Sequence, residues 1–235
     1  MSVADRLAKV NQEIAASCLR AGRKPQSVRL LAVSKFQPET AIREAFAAGQ
    51  KDFAENYAQE AFKKAEPLAD LRELRWHFIG RIQSNKAKSL AGKFALIHSV
   101  DRVEIAAALD RASAAAGLQQ DIFLQVNIAE EASKGGAHLN DFDQFLTAAG
   151  KCANLRIMGL MVMPPLSAES EKARPHFAHA REILEKSRAR LDKRHPFNEL
   201  SMGTSADFRV AIEEGATWVR IGTDVFGARV QEVRA

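Results

Sequence analysis

The sequence predicts a single α/β domain over residues 1–235, a (β/α)8 TIM-type barrel with an extra N-terminal helix. Three observations carry this. Eight short β-rich runs alternate with helical stretches, and such alternation demands parallel pairing, which eight units can close into a barrel. A length of 235 residues suits one barrel, and 46% hydrophobic with 27% charged residues is an ordinary globular balance with core enough to need no staples. The first run leads straight into Ser34-Lys35-Phe36, so the G-x-G-x-x-G turn of the alternative, a doubly wound open sheet, is missing.

The elements follow in order. Val3, Leu7, Val10, Ile14 and Leu19 stand at helical spacing, and Gly22 closes that first helix. The β-rich runs lie at 29–33 (RLLAV), 52–55 (DFAE), 75–79 (RWHFI), 94–99 (FALIHS), 121–128 (DIFLQVNI), 155–162 (LRIMGLMV), 197–202 (FNELSM) and 217–221 (TWVRI). Between them Pro38-Glu39 opens a helix that Gly49 closes, and Asp101 with Glu104 reads as a capping box before a helix ending at Gly117. Ser84 and Ser205 are candidate N-caps, and Gly150 is a candidate C-cap. Residues 164–171 (PPLSAESE) read as a loop. Arg188, Arg190, Lys193 and Arg194 read as a solvated face at the end of a long polar helix, where cations complement the dipole.

Whole classes of function drop out. No apolar run approaches the roughly 18 residues of a membrane span, and the polar start lacks a signal core and cleavage site. Cys18 and Cys152, far apart, read as buried small hydrophobes. The expectation is a reduced, cytoplasmic protein. A formal charge of +5 is spread along the chain without the aromatic and basic stripe of a nucleic-acid module, and favours anionic small ligands weakly. His77, His98, His176, His179 and His195 show no metal spacing backed by carboxylates, so no metal is expected. Met158, Met161 and Met163 read as core, the last two able to border a cavity at the barrel mouth; Lys86 and Lys88 read as a solvated helix face.

Barrel chemistry sits at the C-terminal strand ends. The first strand delivers Lys35 there, directly after Leu30-Leu31-Ala32-Val33. A lysine in a partly desolvated mouth loses preference for its charged form and can attack a carbonyl to form a Schiff base; the competing reading is a structural lysine snorkelling at a strand end. The last two units carry Ser201-Met202-Gly203-Thr204-Ser205 and Val219-Arg220-Ile221-Gly222-Thr223. Glycine admits an anion to the backbone, hydroxyls donate, and barrels often hold phosphate in these loops. A reactive lysine beside a phosphate site calls for a phosphorylated carbonyl compound, either a sugar phosphate or pyridoxal phosphate (PLP). Alternation puts Trp218, Arg220 and Gly222 on one strand face, so Arg220 points inward if Gly222 lines the mouth, and forms an outward ion pair otherwise.

Ala32-Val33-Ser34-Lys35, Glu55-Asn56-Tyr57, His77-Phe78-Ile79-Gly80-Arg81, Gln125-Val126-Asn127-Ile128, Ser133-Lys134, Ser201-Met202-Gly203, Ser205, Asp207 and Val219-Arg220-Ile221-Gly222-Thr223 together resemble the pyridoxal-phosphate homeostasis protein family. These are stand-alone proteins similar to the N-terminal barrel of alanine racemase, and the resemblance runs from about residue 29 to 229. It implies that Lys35 carries PLP as a Schiff base, that Asn56 lies beside the ring, that Ser205 with the Gly222 and Thr223 backbone holds the phosphate, and that Arg220 faces the pyridine nitrogen. This sequence departs from the family at Thr204 (usually methionine), Ala54 (often glycine) and Asp224 (usually small or apolar). Thr204 adds a hydroxyl near the phosphate, and Asp224 alters the charge of its loop.

An arginine against the pyridine nitrogen keeps its proton at neutral pH, so it favours an unprotonated ring and a weak electron sink. Racemisation also needs a second acid/base group, which alanine racemase takes from a tyrosine of its partner's C-terminal domain. The barrel uses nearly all 235 residues, and the lone tyrosine, Tyr57, reads as packing against the ring or the barrel wall. The sequence therefore points to a monomeric, non-catalytic PLP-binding protein of intracellular PLP and amino-acid homeostasis, with amino acids and PLP-dependent apoenzymes as partners. The alternatives are a PLP-dependent amino acid racemase and a Schiff-base sugar-phosphate aldolase.

Overall fold

The computed structural model describes residues 1–131, 134–165 and 167–227. Ser133, Leu166 of the proline loop and Arg229 at the end of the family resemblance lie outside the described residues. Eight strands pair in parallel in chain order: β1 (Arg29–Val33), β2 (Asp52–Glu55), β3 (Arg75–Phe78), β4 (Leu96–Val100), β5 (Gln120–Val126), β6 (Leu155–Val162), β7 (Glu199–Ser201) and β8 (Trp218–Ile221). Arg29 to Ala32 of β1 pair with Trp218 to Ile221 of β8, closing the barrel. Three strands match the sequence reading to the residue, and the ends of the others differ by two residues at most.

Helices cover the barrel: α1 (Val3–Arg20), α2 (Glu39–Ala47), α3 (Ala58–Ala65), α4 (Ala87–Leu90), α5 (Val103–Ala115), α6 (Phe142–Ala149), α7 (Arg174–Ser187), α8 (Phe208–Glu213) and α9 (Thr223–Phe226). Ser2 caps α1 in a box with Asp5. Its buried stripe is Val3, Leu7, Val10, Ile14, Ser17 and Cys18, whereas Leu19 is 67% exposed. At about 100° per residue, Leu19 sits roughly 140° round from Ile14 and leaves the stripe that Cys18 keeps.

Three expected caps are corrected. No side chain caps α5: Arg102 holds the cap position, and the Asp101 carboxylate is occupied by that same Arg102. Ser84 starts a 3-10 turn behind Gln83 instead of capping a helix. Ser205 does not cap α8, because the Asp207 carboxylate accepts from the Thr204 N–H (2.6 Å) and hydroxyl (3.0 Å), closing a turn that delays the helix to Phe208. The basic cluster after α7 is only partly a solvated face: Arg190 pairs with Asp143, and Arg194 donates to the Gly150 carbonyl at the end of α6.

Two shells of apolar packing hold the barrel. The larger lies between sheet and helices, while Leu31, Ala54, Leu96, Phe123, Met161 and Trp218 fill the barrel itself. A register shift between Ile122 and Phe123 against β6 lets Met158 and Met161 both pack inward. Gly159 is required there, since a Cβ would stand 1.8 Å from the Glu199 carbonyl oxygen. Ion pairs gather where the strands begin: Arg75 is bidentate to Asp52 at 2.7 Å, Arg156 is bidentate to Asp121, and Arg29 pairs with Glu199 while lying over Trp218.

Candidate functional site

Lys35 follows β1 with the parity of Leu31 and Val33, both of the inner shell, and is half-buried in the turn after the strand. The turn is a built one. Phe36 takes φ 60, a left-handed conformation rare outside glycine, and its N–H donates to Glu60 Oε1 at 2.6 Å. Lys64 of α3 spends its three ammonium protons on the Ser34 carbonyl (2.8 Å), Glu55 Oε1 (2.8 Å) and Glu60 Oε1 (2.7 Å), and the Ser34 hydroxyl donates to the same Glu55 oxygen at 2.7 Å. Glu55 is fully buried, and burial pushes its carboxyl up against the opposing pull of Lys64.

Asn56 continues the parity of Asp52 and Ala54 past the end of β2, and its Oδ1 is buried with no hydrogen-bond partner among the described residues. Its backbone is pinned by Gly80, where a Cβ would stand 1.8 Å from the Asn56 carbonyl oxygen. Asn127, after β5, has an orphaned Oδ1 as well, although its Nδ2 donates to the Glu131 carbonyl. The sequence named Asn127 only within a motif; its place two residues after Gln125, on the parity of inner Phe123, is the signal that marks it.

Arg220 decides between the two sequence readings. It points inward, is 4% exposed, and among the described residues has no ion pair. Nη1 donates to the Ser201 carbonyl (2.5 Å) and hydroxyl (2.9 Å), and Nη2 donates to the Val162 carbonyl (3.0 Å). A guanidinium has five N–H donors, so Nε–H and one Nη2–H stay uncommitted among the described residues. Burial pushes Arg220 down to about 10, still charged at neutral pH.

Gly222 follows with the same parity; a Cβ there would approach the Val33 carbonyl oxygen to 3.2 Å. Thr223 is exposed and Ser205 half-buried, and neither hydroxyl has a partner among the described residues. The structure thus brings Lys35, Asn56, Ser205, Arg220, Gly222 and Thr223 to the C-terminal end of one barrel, on β1, β2, β7 and β8 or the turns that leave them. The extra Thr204 hydroxyl is committed to Asp207, and the charged neighbours of Asp224 are Arg209, Glu13 and Lys9, on the α1 side. Tyr57 is 54% exposed and packs on Phe36, with ring centroids 5.6 Å apart, instead of on the barrel wall. A cavity of about 680 Å³ opens beside the ends of β3, β4 and β5, lined by Arg81, Arg102, Lys134 and His138 among others, and none of the six sequence-named residues lines it.

The histidines are where sequence reasoning fell short. No group of residues able to hold a metal occurs among the described residues. Yet His77 and His98 lie inside the barrel, joined at 3.1 Å, with His77 on Asp52 (2.9 Å) and His98 on the Ser201 hydroxyl (2.9 Å). No helix of the described residues is long and apolar enough to cross a membrane.

A phosphorylated carbonyl compound fits this arrangement chemically: an amine nucleophile, a buried cation with donors to give, a buried amide oxygen lacking a donor, and hydroxyls beside a glycine. The comparisons with known proteins agree in kind. The alanine racemase N-terminal domain family matches residues 11–230. A pyridoxal phosphate homeostasis protein of Pseudomonas aeruginosa is 47% identical over 228 residues, covering 97% of this chain and 96% of that one, and one of Aquifex aeolicus is 42% identical over 229 residues, covering 97% and 99%. The structure of PipY from Synechococcus elongatus with PLP bound superposes with a TM-score of 0.84 at 39% identity, covering 96% of this chain and 100% of that one. The chain therefore belongs to the alanine racemase N-terminal domain family and, within it, to the pyridoxal phosphate homeostasis proteins.

Proposed function

We propose that this chain is a single PLP-binding barrel domain that holds the cofactor through Lys35 and acts, without efficient turnover of its own, in intracellular PLP and amino-acid homeostasis. One observation carries the reading: Arg220 is a buried cation with no carboxylate partner among the described residues and two N–H groups uncommitted, inside the same barrel mouth as Lys35. A buried charge left so is costly unless something accepts from it. The unpartnered Oδ1 of Asn56 adds a second buried group that a bound cofactor satisfies.

PLP, when bound, supplies an aldehyde carbon and an electron-accepting ring. Lys35 holds that aldehyde as a Schiff base, and the Glu60–Lys64 clamp fixes the turn that presents the amine. Arg220 donates to the pyridine nitrogen and, keeping its own proton, leaves the ring unprotonated. Asn56 orients the ring edge, and Ser205, Thr223 and the Gly222 backbone donate to the phosphate. Amino acids and PLP-dependent apoenzymes are the partners this chemistry allows, for a cytoplasmic monomer. The racemase reading lacks a second base among the described residues, since Tyr57 lies on Phe36. The aldolase reading uses Lys35 and the phosphate turns but gives Arg220 nothing to meet.

The test is a visible absorption spectrum of the purified protein before and after borohydride, with digestion to find the labelled lysine. The expected result is a yellow protein bleached by borohydride with the label on Lys35, and a folded but colourless Lys35→Ala variant. A wild type that stays colourless after incubation with PLP would favour the aldolase, and a label on another lysine would move the site.

A further inference from the structure

Asp52, His77, His98, Ser201 and Arg220 are all buried and joined in series. The series starts on the first residue of β2, where Asp52 also takes both bonds from Arg75, and ends on β8 one residue before the mouth. Its direction is fixed at both ends. A carboxylate only accepts and a guanidinium only donates. His77 Nε2 must therefore carry a proton toward Asp52; with His77 neutral, its Nδ1 must accept from His98 Nε2–H. His98 Nδ1 in turn must accept from the Ser201 O–H, which leaves the Ser201 oxygen to accept from Arg220. Both imidazoles are then held in the Nε2–H form.

The surroundings favour neutral rings. His77 packs on Trp218 at 5.1 Å and His98 on Phe123 at 4.7 Å. Burial lowers both, and it is opposed at His77 by Asp52 but reinforced at His98 by His77, Arg220 and Arg29. The remaining charges facing the pair are met elsewhere: Arg75 by Asp52, and Arg29 by Glu199. Asp52 stays ionised, its carboxyl resisting burial and held at about 2 by the bonds from Arg75 and His77.

We propose that Ser201, His98, His77 and Asp52 are positioning residues for Arg220, a one-way hydrogen-bond chain through the barrel interior that fixes the guanidinium in place and keeps it the donor toward the cofactor ring. This rests on the reading that Arg220 meets the ring nitrogen. Without the chain, Ser201 could offer its proton elsewhere and the guanidinium could turn about its remaining anchors, the Ser201 and Val162 carbonyls.

The experiment has two arms on the full chain. Without PLP, long-range ¹H–¹⁵N NMR of histidine-labelled protein should show both rings as single neutral Nε2–H forms from pH 5.5 to 8.5. Ser201→Ala should shift the His98 Nδ1 resonance and leave His77 bonded to Asp52. A His77 imidazolium, or a Ser201→Ala spectrum identical to wild type, would overturn the chain. With PLP labelled at the ring nitrogen, Ser201→Ala should move the ring ¹⁵N resonance and weaken retention about tenfold, the equivalent of one hydrogen bond. An unmoved ring resonance in a variant with altered His98 would overturn the positioning role. A wild type that holds no PLP would sink the functional reading, while the first arm still decides the chain.

Discussion

Lys64 shows how one side chain can set up another. Its side chain is only 9% exposed and its ammonium sits between Glu55 and Glu60, so three charges share a site that also holds the Ser34 carbonyl in place. Removing one member of a buried ionic group leaves the others uncompensated, which costs about 3 to 5 kcal/mol. Lys64→Met should lose about that much stability at pH 8 and retain PLP poorly, because the Phe36 turn loses its support. The pH dependence has a definite sign. A carboxyl whose folded pKa lies above its unfolded value takes up a proton on folding, so stability falls as pH rises through that range. Burial already raises Glu55, and loss of Lys64 raises it further, so the deficit of the variant should shrink as pH falls toward 5. Urea unfolding of both proteins at pH 5 and pH 8 measures this; an equal deficit at both values would show that Glu55 is not the group left exposed to its own charge.

Among the elements, the turns proposed to hold the phosphate depend on a segment outside the barrel. Arg6 of α1 donates to the Val225 and Phe226 carbonyls at 3.0 Å, satisfying the end of the short α9, and Arg23 donates to the Ile212 carbonyl of α8 at 2.7 Å. The N-terminal helix and the turn that follows it thereby brace both elements that follow the Ser205 and Thr223 turns. With the backbone so held, the proposed contribution of the hydroxyls is direct donation to the phosphate. Each charge-assisted bond lost should cost on the order of 1.5 to 3 kcal/mol, so the Ser205→Ala, Thr223→Ala double variant should release PLP roughly tenfold or more faster than wild type. Dialysis followed by absorbance reads this, and unchanged retention would put the phosphate in another turn.

Over the whole molecule the barrel is two-ended. Ion pairs of Asp52, Asp121 and Glu199 with Arg75, Arg156 and Arg29 gather at the N-terminal strand ends, apolar side chains fill the middle, and Lys35, the unpartnered Oδ1 of Asn56 and the buried guanidinium of Arg220 collect at the other end. That distribution suits holding a cofactor better than turning over a substrate. On the proposed reading Lys35 is the base that the described residues offer, and Arg220 would keep the ring a weak electron sink. PLP-loaded protein incubated with L-alanine in deuterated water should exchange the α-proton slowly and form no measurable D-alanine, and Arg220→Glu should speed exchange by allowing the ring to protonate. Rapid D-alanine formation that disappears in Lys35→Ala would make the protein a racemase.

The barrel was legible in the order of the residues, and so was the strand end that carries Lys35. Strand parity and the order of eight β-rich runs are local properties, and parallel pairing in chain order leaves little else for them to build, so Lys35 could be set at a strand end before any contact was known, whereas Asn56 stood there only by family resemblance and Arg220 was left between an inward and an outward reading. Helix caps were less legible, since Asp101 and Asp207 each had a nearer competitor for their carboxylates in Arg102 and Thr204. The polar interior, by contrast, exists only once the barrel has closed. Asp52, His77, His98, Ser201 and Arg220 come from five strands, and the partner of each lies 19 to 103 residues away along the chain. Each looks alone like an isolated polar residue in an apolar run, and only barrel closure turns the five inward, where besides one another they meet Arg75 at Asp52 and the Val162 carbonyl at Arg220.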